Sequence, residues 1–130
     1  MTQLFSVQLP AAGTGYIAGI VEGFDSILAA AVQARLSGTG GTSVTAWLQT
    51  SVDGGVTFYD LVCVHFTAAG TLIANVNSQS ALDPVAITDG TLAVNTVRQG
   101  PVGDRFRLRY NVVGAWSAGS VLQIDIADKT

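Results

Sequence analysis

Charge is scarce in this 130-residue chain. Asp, Glu, Lys and Arg make up 12% of it, against roughly 25% in an average globular protein. A surface so poor in charge suits packing against other subunits better than life as a dilute monomer. Basic residues are outnumbered, six against nine, and the net charge is −3. Nothing here attracts a phosphate backbone, so nucleic acid is not an expected partner. Cysteine occurs once, as Cys63, which excludes an internal disulfide. Histidine occurs once, as His65, and one Cys with one His cannot supply the ligands of a zinc site. The acidic residues show no EF-hand spacing. No phosphate-binding glycine motif opens a helix after a strand. Gly-Thr-Gly-Gly at 38–41 is read as a loop. No cofactor or metal is therefore expected. No apolar run approaches the roughly 18 residues that span a bilayer, so no membrane is expected either. The opening M-T-Q-L-F-S-V-Q-L-P lacks the basic start and long apolar segment of a signal peptide, and a cytosolic product is expected.

What the chain does have is apolar residues, 48% of it, in a length sufficient for one core. It is organised around Thr42 to Phe66. Two runs rich in β-branched and aromatic residues flank Val52-Asp53-Gly54-Gly55, which is strong turn chemistry. The pattern predicts a long β-hairpin. Its first strand alternates, with Val44, Ala46, Leu48 and Thr50 on one face and Thr45, Trp47 and Gln49 on the other. Its second strand is apolar on both faces: Phe58, Val62, Val64 and Phe66 against Tyr59, Leu61 and Cys63. Such a strand is central to a sheet and covered twice, by the core and by something else.

Residues 1–22 read as an N-terminal arm that orders against a neighbour, with a short edge strand over Ser6–Leu9 stopped by Pro10. Residues 23–130 read as one β-sandwich domain. Ser26–Ser37 suits a helix by its alanines, but the alternation of Leu28, Ala30, Val32, Ala34 and Leu36 favours a strand. Leu72–Val76, Val85–Thr88 and Leu92–Val97 are further strand candidates, with Asn77–Pro84 a loop. Phe106, Leu108, Tyr110 and Val112 face inward from the next strand, and Leu122, Ile124 and Ile126 from the last. Arg105, Arg107 and Arg109 face outward, where Asp125 and Asp128 of the last strand are expected to pair with them. The fold class is all-β: an antiparallel sandwich, jelly-roll or immunoglobulin-like, of about seven or eight strands.

Few constellations carry chemistry. Cys63 and His65 share a strand face roughly 7 Å apart, with no oxyanion site to make them a dyad. Cys63 is read as a packed apolar group, and no enzyme is expected. The arginine row has two readings. One is a solvated strand face with local carboxylates. The other is a patch that docks onto an acidic neighbouring subunit. Tyr59 and Leu61 belong to the doubly apolar strand and are candidates for the same interface. Trp116, in a glycine-flanked loop, either contacts a partner or folds back over the sandwich end. Asp53 and Asp89 sit at glycine turns and are read as turn formers.

Two resemblances follow from particular runs. Ser51-x-Asp53-x-Gly55-x-Thr57-Phe58, with Gly54 inside it, is similar to the Asp-box, a structural hairpin turn, with Phe in place of the usual Trp. One copy in 130 residues cannot make a propeller. Residues 34–55, 59–67 and 98–110 resemble small β-sandwich virion proteins of tailed bacteriophages, including capsid decoration or cement proteins. The resemblance implies a non-enzymatic structural protein made in the host cytoplasm and located in the virion. Its partners would be the major capsid protein or other virion subunits, and it would self-associate, with a trimer expected. Alternatives are a carbohydrate-binding or adhesion module stacking sugars on Tyr59 and Trp116, or a tail or neck connector.

Overall fold

A computed structural model describes residues 2–23, 29–77, 87–99 and 101–129, with 128 and 129 as backbone only. Within these residues the chain forms nine strands: β1 (Thr2–Gln8), β2 (Gly13–Val21), β3 (Ala29–Ser37), β4 (Ser43–Ser51), β5 (Tyr59–Phe66), β6 (Gly70–Asn77), β7 (Thr96–Val97), β8 (Arg105–Val113) and β9 (Val121–Lys129). One sheet has the order β1-β9-β3-β6 and the other β2-β8-β4-β5-β7. Every pair in both sheets is antiparallel. This is the expected all-β sandwich, with slightly more strands.

The pairing has a simple logic. β4 pairs with β5, β3 with β6, β2 with β8 and β1 with β9. The chain is one long hairpin, doubled back between β4 and β5, then rolled so that successive pairs fall in opposite sheets. Of the two sandwich types expected, this is the jelly roll.

The tip of that hairpin closes by local bonds. The Ser51 hydroxyl donates to Asp53 Oδ1 (2.7 Å) and accepts from the Gly55 N–H (3.0 Å). Asp53 Oδ1 also accepts from the N–H groups of Val56 and Thr57 at 3.1 and 2.8 Å. These donors, Thr57 first and then Ser51, hold the Asp53 carboxyl below its usual range. Gly54 and Gly55 have φ of 78° and 93°, where a Cβ is strained. The Asp-box-like spacing is thus a turn that fastens itself.

The core lies between the sheets. Val44, Ala46 and Leu48 from β4 and Phe106, Leu108, Tyr110 and Val112 from β8 meet Ala30, Val32, Ala34 and Leu36 from β3 and Leu122, Ile124 and Ile126 from β9. All are buried, and the alternating residues of β3 and β8 are less so, as period-2 patterning requires. Ala29–Ser37 is strand, not helix; Leu28 lies outside the described residues.

Three expectations are corrected. The segment read as an N-terminal arm is two strands ordered against their own chain, β1 on β9 and β2 on β8. Their period is hidden by a bulge in β1 and two irregularities in β2. β8 and β9 lie in different sheets, so no ladder of arginines against Asp125 forms between them. Of the Leu92–Val97 candidate, Thr96–Val97 is strand. Ile87 and Thr88 are not strand, while Val85, Ala86 and most of the Asn77–Pro84 loop lie outside the described residues.

Because Gly55 closes the hairpin at positive φ, Gly55→Ala is expected to cost about 1–2 kcal/mol in denaturant unfolding. Gly70→Ala, at a strand position with no heavy atom within 4 Å of the added Cβ, is expected to cost nothing comparable.

Candidate functional site

β5 has almost no exposed surface: of its eight residues only His65 is less than buried. Val62, Val64 and Phe66 point into the core. The register slips between Leu48 and Gln49, which leaves Leu61 unmatched on β4 and brings it into the core beside Val62. The opposite face, carrying Asp60 and Cys63, is covered by the chain's own residues 87–97, which lie along β5 as a strap.

Backbone bonds lay the strap along the free edge of β5. The Asp60 N–H donates to the Thr88 carbonyl (2.9 Å), and the Arg98 N–H donates to the Leu61 carbonyl (2.8 Å). Thr96 and Val97 pair with Cys63 and Val62 as β7. The His65 N–H donates to Asn95 Oδ1 at 3.0 Å. Asn95 takes this position at φ 55°, a left-handed conformation that asparagine tolerates. Trp47, 6% exposed, donates its indole N–H to the Leu92 carbonyl at 3.0 Å.

The fastening point is Asp60, which is 0% exposed. Its Oδ1 accepts from the Gly90 N–H (2.8 Å) and from Gln49 Nε2 (2.9 Å). Its Oδ2 accepts from the N–H groups of Thr91 (2.9 Å) and Leu92 (3.1 Å). Burial alone would raise the pKa of this carboxyl. The four donors, Gln49 first among them, outweigh burial and hold it below the usual range.

The arginine row joins the same network. Gln49 Oε1 accepts from Arg107 Nε at 2.8 Å, and Gln49 Nε2 also reaches Asp89 Oδ1 at 2.7 Å. Asp89 pairs with Arg109 (3.2 Å) and Arg107 (3.5 Å). Arg105 pairs with Glu22 at 2.7 Å. Arg107 lies over the Phe58 ring, 4.5 Å from its centroid. The three guanidinium groups thus have carboxylate partners within the chain, Asp89 on the strap and Glu22 after β2. This is the local-carboxylate reading of the row. Ile17 and Ile20 stand beside it on β2, each 51% exposed.

The other interface candidates sit elsewhere. Leu61 is a core residue. Tyr59 is buried, and its hydroxyl donates to the Pro101 carbonyl at 2.7 Å; burial pushes its phenol pKa up. Neither offers surface to a partner or a sugar, so both expectations are corrected. Trp116 folds back: its half-buried indole packs against the core and lies so close to Gly41 that a Cβ there would be 2.1 Å from the ring nitrogen. The indole N–H meets no acceptor. The second cover of β5, expected from outside, is likewise intramolecular.

Cys63 and His65 do not form a dyad. His65 Nδ1 bonds to Thr45 Oγ1 at 2.8 Å. Burial pushes the Cys63 thiol up to about 11. Among the described residues no group of three His, Cys, Asp or Glu side chains could hold a metal ion. No described helix is long and apolar enough to cross a membrane.

Sequence reasoning missed Asp60, Gln49 and Asn95. A readable signal existed for Asp60: a carboxylate within a strand apolar on both faces demands buried donors. Asp89-Gly90 was legible as a turn, but not as the donor and ion-pairing end of a strap. No known protein family, no curated protein and no solved structure matches this chain.

Replacing Asp60 with Asn sets an NH2 group against the strap's N–H donors, and a loss of about 2–3 kcal/mol is expected by denaturant titration at neutral pH. A folded-state pKa below the unfolded value of about 3.9 stabilises fully above that value and is lost as pH falls through the folded one. The gap between wild type and Asp60→Asn should therefore narrow as the titrations are moved into that acid range. Cys63 is expected to resist a thiol-directed reagent near pH 8 until the protein is unfolded; rapid labelling of the folded protein would contradict its burial.

Proposed function

We propose that this protein is a non-enzymatic structural subunit of a tailed-phage particle, most directly a capsid decoration protein that binds the major capsid protein and stabilises the head. The observation that carries this reading is the outer face of the first sheet. It presents Gln3, Ser6, Gln33, Asn75 and Gln123 around apolar Ala31, Ala127 and Ile73, the last 68% exposed, with Arg35 and Asp125 the only charged side chains among its described residues. A broad face of uncharged polar and apolar side chains can be dehydrated against a partner at far lower cost than a charged one. The use of the ionisable groups agrees with a structural role: Asp53, Asp60, Asp89 and the arginine row are spent as internal fastenings. The resemblance of residues 34–55, 59–67 and 98–110 to small phage virion sandwiches points the same way.

The test is direct. Purified phage heads stripped of this protein are incubated with it, then imaged and heated. Saturable occupancy at a fixed ratio to the major capsid protein, with a higher temperature of head rupture, is expected. Heads that take up none of it, or particles that carry it only in the tail, would overturn the reading.

A further inference from the structure

A sandwich of two open sheets has four edges, and each is a template for another strand unless something blocks it. Two are covered or broken, and a third, on β6, is blocked at its Asn75–Asn77 end. The β5 edge is covered by the strap and β7. On β6, the Gln99 side chain donates to the Asn75 carbonyl (2.9 Å) and accepts from the Asn77 N–H (2.6 Å). β2 is broken by irregular register between Gly13 and Tyr16 and again between Ala18 and Val21. β1 is different. From Phe5 to Gln8 its register is regular, and no described residue bonds to its outer side.

Which groups it offers can be read from the ladder. The Leu9 N–H donates to the Ser120 carbonyl at 2.9 Å, which makes that pair a bonded one. Bonded and non-bonded pairs alternate in an antiparallel ladder. Val7 and Phe5 therefore bond to β9, while the N–H and C=O groups of Ser6 and Gln8 point away from the sheet.

We infer that β1 pairs antiparallel with β1 of a second copy of this chain, about a twofold axis through Val7, joining two first sheets into one. The sequence of the strand is self-complementary in that register. Ser6 lies opposite the second copy's Gln8, polar against polar on the outer face and bonded through both backbones. Val7 meets its own twin, and Phe5 meets Leu9. Val7 and Leu9 are only partly buried at the rim of the core, so the contact completes their burial. No like charges oppose one another, because the first charged side chain in the sequence is Glu22. Pro10, which has no N–H, ends the strand where the pairing ends. A twofold seam builds assemblies of even number in place of the trimer expected from sequence. The inference does not rest on the virion role.

Light scattering behind size exclusion, on the whole protein, reads the outcome. The wild type is expected to be a dimer or a larger even assembly. Ser6→Pro removes an N–H that its own sheet does not use, and the Ser6→Lys/Gln8→Lys double variant sets lysines across the seam at two exposed positions; each is expected to yield folded monomer. Val7 faces its twin at a non-bonded pair, about 4.5 Å between Cα atoms, within disulfide reach. Val7→Cys is therefore expected to give a disulfide-linked dimer on mild oxidation. A monomeric wild type at high micromolar concentration overturns the inference. So does an oligomer that survives in the double lysine variant, which decides the matter if Ser6→Pro fails to fold.

Discussion

A fully buried carboxylate holds this fold in its observed form. Asp60 is the second residue of β5, between Tyr59 and Leu61, with no contact to water. A charge there is tolerable only because three consecutive strap amides and the Gln49 side chain converge on it. Without those donors the strap has no anchor. Without the strap, Trp47, Cys63 and the edge of β5 are open to solvent. The carboxylate and the strap each make the other's position affordable.

The rolled hairpin explains why that point matters. The β4–β5 pair is the closed end of that hairpin, flanked in its sheet by β8 on one side and β7 on the other. β5 is not the edge of its sheet, because β7 and the rest of residues 87–98 continue its hydrogen bonding. The arginine row extends the same construction outward. Arg107 leans on Gln49 and Phe58, and Asp89 gathers Arg107 and Arg109 toward the strap. Pairs this exposed contribute little each; their effect is to hold the strap's leading end over β4 and β8.

Much of this was legible in the residues. The Asp53-Gly54-Gly55 turn, the strict alternation of β3, β8 and β9, and the two apolar faces of β5 all follow from period-2 patterning and turn chemistry. β1 and β2 were not, because bulges break their period and Ile17 and Ile20 place apolar side chains on the outside. The strap was not, because its bonds to β5 join residues 28 or more apart in sequence and leave no local signature. A two-sided apolar strand announces that it is covered twice. It does not announce whose chain provides the cover. For the interface candidates the result is a redistribution: Tyr59, Leu61 and Trp116 serve the interior, and the surfaces proposed to meet a partner are the first sheet and its β1 edge.

The central claim is that the strap belongs to the cooperative fold, fastened by Asp60, and is not a loop awaiting a partner. Amide hydrogen exchange at Gly90, Thr91 and Leu92 tests this most directly. These three amides are expected to be as slow as those of β5, exchanging only through global unfolding. Fast exchange at all three while β5 stays protected would show that the carboxylate does not hold the strap, and the account would fail.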